Sequence, residues 1–250
     1  MFFATYVTKK HNAMLASFLT AEWRKLAMAN YAVSPDLLKP YVPKHTELDL
    51  WNGACYVSLV GFLFDNVRLK GIPVPFHTSF EEVNLRFYVR YRDEQGNWKR
   101  GTTFIKEIVP KAAVSWLANF VYHEHYVTTP MRHRWQNANN QLTVSYEWKE
   151  PEWNRFEVVA DNLAVEMPVG SKEEFITEHY WGYTTYSPTV TSEYGVEHPR
   201  WQVYPVKEYT IDVDFEAVYG AEFGFLSTQK PDSVLLAEGS AIQVRSARKL

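Results

Sequence analysis

Residues 81–109 read "EEVNLRFYVRYRDEQGNWKRGTTFIKEIV". The first half alternates strictly. Val83, Leu85, Phe87 and Val89 fall on one face of an extended chain, and Glu82, Asn84, Arg86, Tyr88 and Arg90 on the other. A second apolar run follows a turn at Glu94–Asn97, so the stretch reads as a hairpin. The polar face has two readings. On an open sheet it is the solvated side. In a closed sheet the same alternation sends Glu82, Asn84 and Arg86 into the lumen, where a carboxylate and a guanidinium need partners and so form a ligand site.

Strands recur on both sides of this hairpin. Residues 23–33 read as a strand. Ser34 and Pro35 open a short helix with Asp36 in its first turn, limited to about two turns by Pro40 and Pro43. Asn52-Gly53 between apolar-rich runs is a strong two-residue hairpin signal. Residues 111–122, "KAAVSWLANFVY", carry Ala112, Ala113, Trp116, Leu117, Phe120 and Val121 at helical spacing. "NANN" at 137–140 reads as a turn before the strand "QLTVSYEW". Ser171 with Glu174 reads as a capping box opening a helix over 171–181. "WQVYPVKEYTIDVDF", "SVLLAEG" and "AIQVRSAR" read as further strands, and residues 6–17 as a short helix. Aromatic content of 16% fits this strand-rich balance. There is no β-α repeat and no linker. The expectation is a mainly β, β-rich α+β fold: one domain over 1–250, an antiparallel barrel with a few short flanking helices.

Composition excludes several functions. A net charge of −3 supplies no basic field for nucleic acid or an anionic membrane. No run of eighteen apolar residues occurs, and the first residues lack a basic-then-apolar leader, so a cytoplasmic protein is expected. Cys55 is the only cysteine, which removes intramolecular disulfides and cysteine-based zinc sites; its apolar surroundings read as an inert buried thiol. There is no G-x-S-x-G, P-loop or G-x-G-x-x-G.

"YHEHYVTTPMRHRW" at 122–135 concentrates His123, His125 and His133. His123 and His125 share a face only on a strand, and a zinc enzyme needs a third ligand that the sequence does not fix. The structural reading of these histidines outweighs the metal one, and no metal or cofactor is assigned. Lys106, in "TTFIKEIV", reads as an outward-facing lysine.

The segments "FLTAEWRKLAMANYAVSPDLLKPYVPKHTELDLWNGACYVSLVGFLF" and "FEEVNLRFYVR" resemble the YqjF-like family of uncharacterised bacterial proteins, itself similar to a distant branch of the acetoacetate decarboxylase-like superfamily. The resemblance implies a single-domain antiparallel barrel with flanking helices and a pocket, and suggests a homo-oligomer. It aligns Arg24 with an active-site arginine suited to a carboxylate, and Glu82 with an active-site glutamate. The decarboxylase's lysine pair falls on Tyr126 and Val127, with His125 on the preceding proline. No lysine lies between Lys111 and Lys149, so imine chemistry loses its nucleophile.

The resulting expectation is a barrel that binds a small carboxylate or carbonyl metabolite without a Schiff base. Arg24, Glu82, Asn84, Arg86, His123 and Tyr126 are the candidate ligand-binding residues, and Glu82, Tyr126 and His125 the candidates for proton transfer. A lyase or hydratase acting on a keto or hydroxy acid, and a metal-dependent enzyme using His123 and His125, remain as alternatives.

Overall fold

The computed structural model describes residues 17–122 and 124–250. The helix expected over 6–17 lies outside them except for Ser17, which opens a strand. In chain order the elements are β1 (Ser17–Val33), α1 (Pro35–Leu38), β2 (Thr46–Leu48), β3 (Cys55–Leu69), β4 (Ile72–Pro73), β5 (Phe80–Arg92) and β6 (Trp98–Val109). Then come α2 (Ala112–Tyr122), β7 (Tyr126–Thr128), β8 (Met131–Ala138), β9 (Gln141–Lys149), β10 (Trp153–Asp161), β11 (Val165–Glu166) and α3 (Lys172–Thr177). The chain closes with β12 (Trp181–Ser187), β13 (Val190–Glu197), β14 (Gln202–Tyr204), β15 (Val206–Asp212), α4 (Phe215–Tyr219), β16 (Ser233–Arg245) and β17 (Arg248–Lys249).

The main sheet runs β16-β1-β3-β5-β6-β12-β13, and β13 pairs back onto β16 through Val196↔Val244 and Glu197↔Gln243. The strands therefore close into a ring. Pairing is antiparallel except where β6 meets β12 and β7 in short parallel stretches. A second sheet, β15-β10-β9-β8, covers one side of the ring. Its Val144, Tyr146, Trp148, Phe156 and Val158 form one buried core with Val83, Leu85, Phe87 and Val89 of β5. The apolar face of β5 is thus sealed by the second sheet. The polar face points to the ring interior, where Glu82, Asn84 and Arg86 are also buried. Gly61 of β3 lets the sheets approach: a Cβ there would lie 2.8 Å from the Tyr146 ring.

Local signals behaved as their chemistry dictates. The Ser34 hydroxyl accepts from Asp36 N, and the Ser171 hydroxyl from Glu174 N. Helix α3 ends at Thr177, short of the expected 181. Asn52 and Gly53 both adopt positive φ in a tight turn bridged by Trp51 and Ala54. The flanking β2, however, pairs with β5 and not with β3, because the turn fixes only its immediate neighbours. "SVLLAEG" and the first five residues of "AIQVRSAR" are one strand, β16, with Gly239 at φ 81°, where a Cβ would press on the Trp23 carbonyl; Arg248 begins β17. The 111–122 segment is helical as expected, but Trp116 and Phe120 stack on each other at the surface. Val114, Leu117 and Ala118 turn inward instead. No helix among the described residues is long and apolar enough to cross a membrane.

Candidate functional site

The ring encloses a cavity of about 140 Å³. Its walls are largely aromatic: Trp23, Phe62, Phe64, Phe80, Phe104 and Trp201. One pole is polar, formed by Glu82, Asn84, Arg86, Glu107 and Tyr126.

Register explains this convergence. On β5, residues two apart share a face, which brings Glu82, Asn84 and Arg86 inward. On β6, simple alternation would place Glu107 opposite Phe104. The pairing slips there: Leu85 faces Lys106, but Arg86 faces Phe104, leaving Ile105 as an extra residue. This bulge re-aims the strand, so Glu107, Phe104 and Thr102 all line the cavity. Lys106 then points away, toward Glu150 at 3.1 Å and the Val218 carbonyl. The parallel pairing of β7 with β6 sets Tyr126 beside Glu107.

The hydrogen bonds form two groups. The Glu82 carboxyl accepts from Asn84 Nδ2 (2.9 Å) and from the Tyr126 hydroxyl (3.0 Å). Glu124, in the α2–β7 connection, accepts at Oε1 from the Thr184 hydroxyl (2.6 Å) and the Tyr194 hydroxyl (2.8 Å). Glu107 is buried beside Tyr126 and Glu124, and its Oε2 and Glu124 Oε2 have no conventional donor. The phenol end of Tyr194 packs against Gly182, where a Cβ would lie 2.1 Å from the ring.

Burial dominates the acidities. It pushes Glu82 up to about 7 against the lowering effect of Asn84, Tyr126 and Arg86. It raises Glu124 to about 7 as well, opposed by Thr184 and Tyr194. Glu107 rises well above the carboxylate range through burial and then through repulsion by Glu124 and Glu82. Like charges this close hold protons, so the pole carries neutral carboxyls at pH values where an exposed glutamate is ionised. Tyr126 stays a phenol donor, since burial and the three glutamates all oppose its ionisation.

Arg86 is 7% exposed and lines the cavity. Its Nε has no hydrogen-bond partner, a terminal nitrogen lies 3.8 Å from Met28 Sδ, and the guanidinium sits 5.9 Å from the centre of the Tyr88 ring. Among the described residues it forms no ion pair. At the far side, buried His179 approaches Asp49 (3.2 Å), which Arg100 also holds (2.6 Å). Burial drops His179 to about 4, partly offset by Asp49, so its ring is neutral.

The structure brings Glu82, Asn84, Arg86 and Tyr126 together on one cavity. It does not bring Arg24 there. Trp23 faces the cavity, and the next residue of a strand points to the other face. Arg24 instead pairs with Glu22 and with Glu238 (3.6 Å) near a bulge at Lys25 and Gly239. The side chain of His125 is exposed, and its carbonyl accepts from Glu107 N at 3.1 Å. His123 lies outside the described residues. Among the described residues no group of three or more His, Cys, Asp or Glu is arranged to hold a metal ion. Cys55 is buried, its thiol donating to the Val33 carbonyl. Sequence reasoning missed Glu107, Glu124, His179 and Tyr194. The bulge hid Glu107. Glu124 was overshadowed by its histidine neighbours, though its position two residues past α2 and two before Tyr126 was a usable signal.

The family profile DUF2071, described as "Uncharacterized conserved protein", matches residues 20–241. The chain belongs to this family. It is 27% identical over 184 residues to the uncharacterized protein YqjF of Bacillus subtilis (strain 168), covering 72% of each chain. Among solved structures, the fold is similar to acetoacetate decarboxylase from Legionella pneumophila (TM-score 0.62, 10% identity, 94% of this chain and 88% of that one). It is also similar to an acetoacetate decarboxylase-like enzyme from Sphingomonas wittichii RW1 (TM-score 0.62, 11% identity, 94% of each chain). The enduracididine biosynthesis enzyme MppR complexed with pyruvate follows at a TM-score of 0.60, with 13% identity over 96% of this chain and 93% of that one. These likenesses establish a DUF2071 chain with an acetoacetate decarboxylase-like fold.

Proposed function

We propose that this protein binds a small carboxylate- or carbonyl-bearing molecule in the ring cavity, with Arg86 as its anchor and without forming an imine. The observation that carries this reading is Arg86 itself: a buried guanidinium beside a cavity, its Nε without a partner. An uncompensated buried cation costs several kcal/mol, and a carboxylate entering the cavity would supply the missing charge and hydrogen bonds. Arg86 thereby takes the role that sequence alignment gave to Arg24. No lysine lines the cavity among the described residues. Tyr126, at the position of a decarboxylase lysine, offers a hydroxyl already committed to Glu82. The solved complex of MppR with pyruvate supports a small keto acid as a ligand compatible with this fold.

The test is calorimetric titration of pyruvate, acetoacetate and 3-methylbutanoate into wild type and Arg86→Met. Wild type is expected to bind at least one acid, and the variant to lose at least about thirty-fold in affinity while remaining folded. Equal binding by the variant contradicts the assignment. Borohydride added with acetoacetate is expected to leave the protein mass unchanged; a covalent increase contradicts imine-free binding.

A second reading is favoured by one observation, the Glu82 carboxyl near 7 with Tyr126 at 3.0 Å. A carboxyl of that acidity exchanges protons effectively at neutral pH, which suits a lyase or hydratase acting on a keto or hydroxy acid. Deuterium exchange at a carbon next to the keto group of bound pyruvate or acetoacetate, lost in Glu82→Gln, is its signature. Exchange at the solvent rate in wild type removes it.

A further inference from the structure

The polar groups that the fold leaves unsatisfied are of two kinds, and this narrows the ligand. Arg86 Nε and Trp23 Nε1 are buried donors without partners, and both side chains line the cavity. Asn84 Oδ1 is a buried acceptor without a partner, on a side chain that is 1% exposed and lines the same space. With Glu82 ionised, the amide nitrogen donates to that carboxylate at 2.9 Å and the oxygen is left without a donor. Arg86 and Asn84 are two apart on one strand face, roughly 7 Å between Cα atoms. A single small molecule can meet both. A carboxylate satisfies Arg86 but offers nothing to Asn84 Oδ1, and a keto oxygen adds a second acceptor where an acceptor already stands. A donor is required beside the carboxylate.

Size narrows it further. A cavity of about 140 Å³ is close to the ~150 Å³ that accommodates one benzene ring, which limits the occupant to roughly six to eight non-hydrogen atoms. The aromatic walls favour a compact apolar body over a polyhydroxylated one.

We infer that the ring cavity selects short, branched aliphatic acids carrying a hydroxyl or ammonium donor on the carbon next to the carboxylate, with the carboxylate on Arg86 and the donor on Asn84 Oδ1. This rests on the carboxylate-binding reading above.

The experiment is a calorimetric panel on the wild-type chain at pH 7. It compares 2-hydroxy-3-methylbutanoate with valine, 2-keto-3-methylbutanoate, 3-methylbutanoate, lactate, mandelate and the amide of the hydroxy acid. The hydroxy acid or valine is expected to bind at least ten-fold tighter than the keto and unsubstituted acids, and the better of the two identifies the donor. Lactate is expected to be about ten-fold weaker for want of two methyl groups, and mandelate weaker still because its ring overfills the space. Keto or unsubstituted acid binding as tightly as the donor-bearing acids overturns the donor requirement while leaving carboxylate binding intact. Mandelate binding best overturns the size limit alone. The amide binding as well as its acid, or no acid binding, overturns the carboxylate reading and this inference together.

Discussion

Two sets of glutamates in this fold behave in opposite ways. Inside the ring, Glu82, Glu107 and Glu124 are held above the usual carboxylate range. Outside it, Glu22 and Glu238 sit below that range. Hydrogen bonds from Arg24 and Asn66 lower Glu22; for Glu238, burial is outweighed by hydrogen bonds from Lys25 and Tyr204. The residue type is the same, and β1 contributes to both surroundings through Trp23 on one face and Arg24 on the other. The difference is solvent and partner. The outer set trades water for cations and stays charged. The inner set trades water for phenols, a threonine hydroxyl and an amide, with a single arginine nearby, and retains protons. Carboxyls held above their usual range, beside a guanidinium that forms no ion pair among the described residues, are what the proposed carboxylate binding rests on.

The contrast can be broken at several points. The largest effect is expected on the sealed face of β5. Leu85→Ala should destabilise the fold by about 2–5 kcal/mol in denaturant unfolding, because Leu85 is fully buried between ring and second sheet. A loss below about 1 kcal/mol would mean that the two sheets do not share a core.

Next is Glu124→Gln, which mimics the protonated acid and still accepts from Thr184 and Tyr194. A carboxyl raised to about 7 stabilises the fold fully below its unfolded value near 4.5, and that contribution is lost as pH rises through 7. The variant should therefore gain on wild type by on the order of 3 kcal/mol between pH 4.5 and 7. His179, held near 4, works in the opposite direction: its contribution is present above its unfolded value near 6.5 and lost as pH falls toward 4. Comparing variant with wild type at each pH cancels it. A difference independent of pH would contradict a protonated Glu124.

Gly182→Ala sharpens the same point by geometry. A methyl 2.1 Å from the Tyr194 ring must displace the phenol that donates to Glu124. A loss of about 1–3 kcal/mol is expected, together with a steeper fall in stability as pH rises, since the remaining carboxyl has one donor fewer. An unchanged melting temperature would show that Tyr194 is free to move. The smallest effect belongs to the outer set. Glu238→Gln should cost under about 1 kcal/mol, because its partners Arg24 and Lys25 remain partly solvated. A larger loss would make the outer pair a structural element comparable with the inner one.

The alternation of 81–90 made the two-faced strand legible, and alignment with a related fold placed Glu82 and Tyr126 at one site. What sequence could not show was closure. Whether Glu82, Asn84 and Arg86 meet water or a lumen depends on β13 pairing with β16, a contact between distant segments with no local signature. Glu107 depended on one extra residue, Ile105, and a period-2 reading cannot anticipate a bulge. Arg24 failed for the converse reason. Its position in the alignment was matched, but its neighbour Trp23 took the inward face, and Arg86 on β5, beyond the intervening β3, supplies the buried guanidinium.

Inside the ring, buried carboxyls are held up to about 7. Titration of the glutamate side-chain carboxyl carbons by ¹³C NMR, in wild type and in Glu82→Gln, tests it most directly. Wild type is expected to show a carboxyl resonance with its midpoint near pH 7 that is absent from the Glu82→Gln spectrum, with a second such midpoint remaining from Glu124. Every glutamate titrating below pH 5 in the folded protein would contradict it.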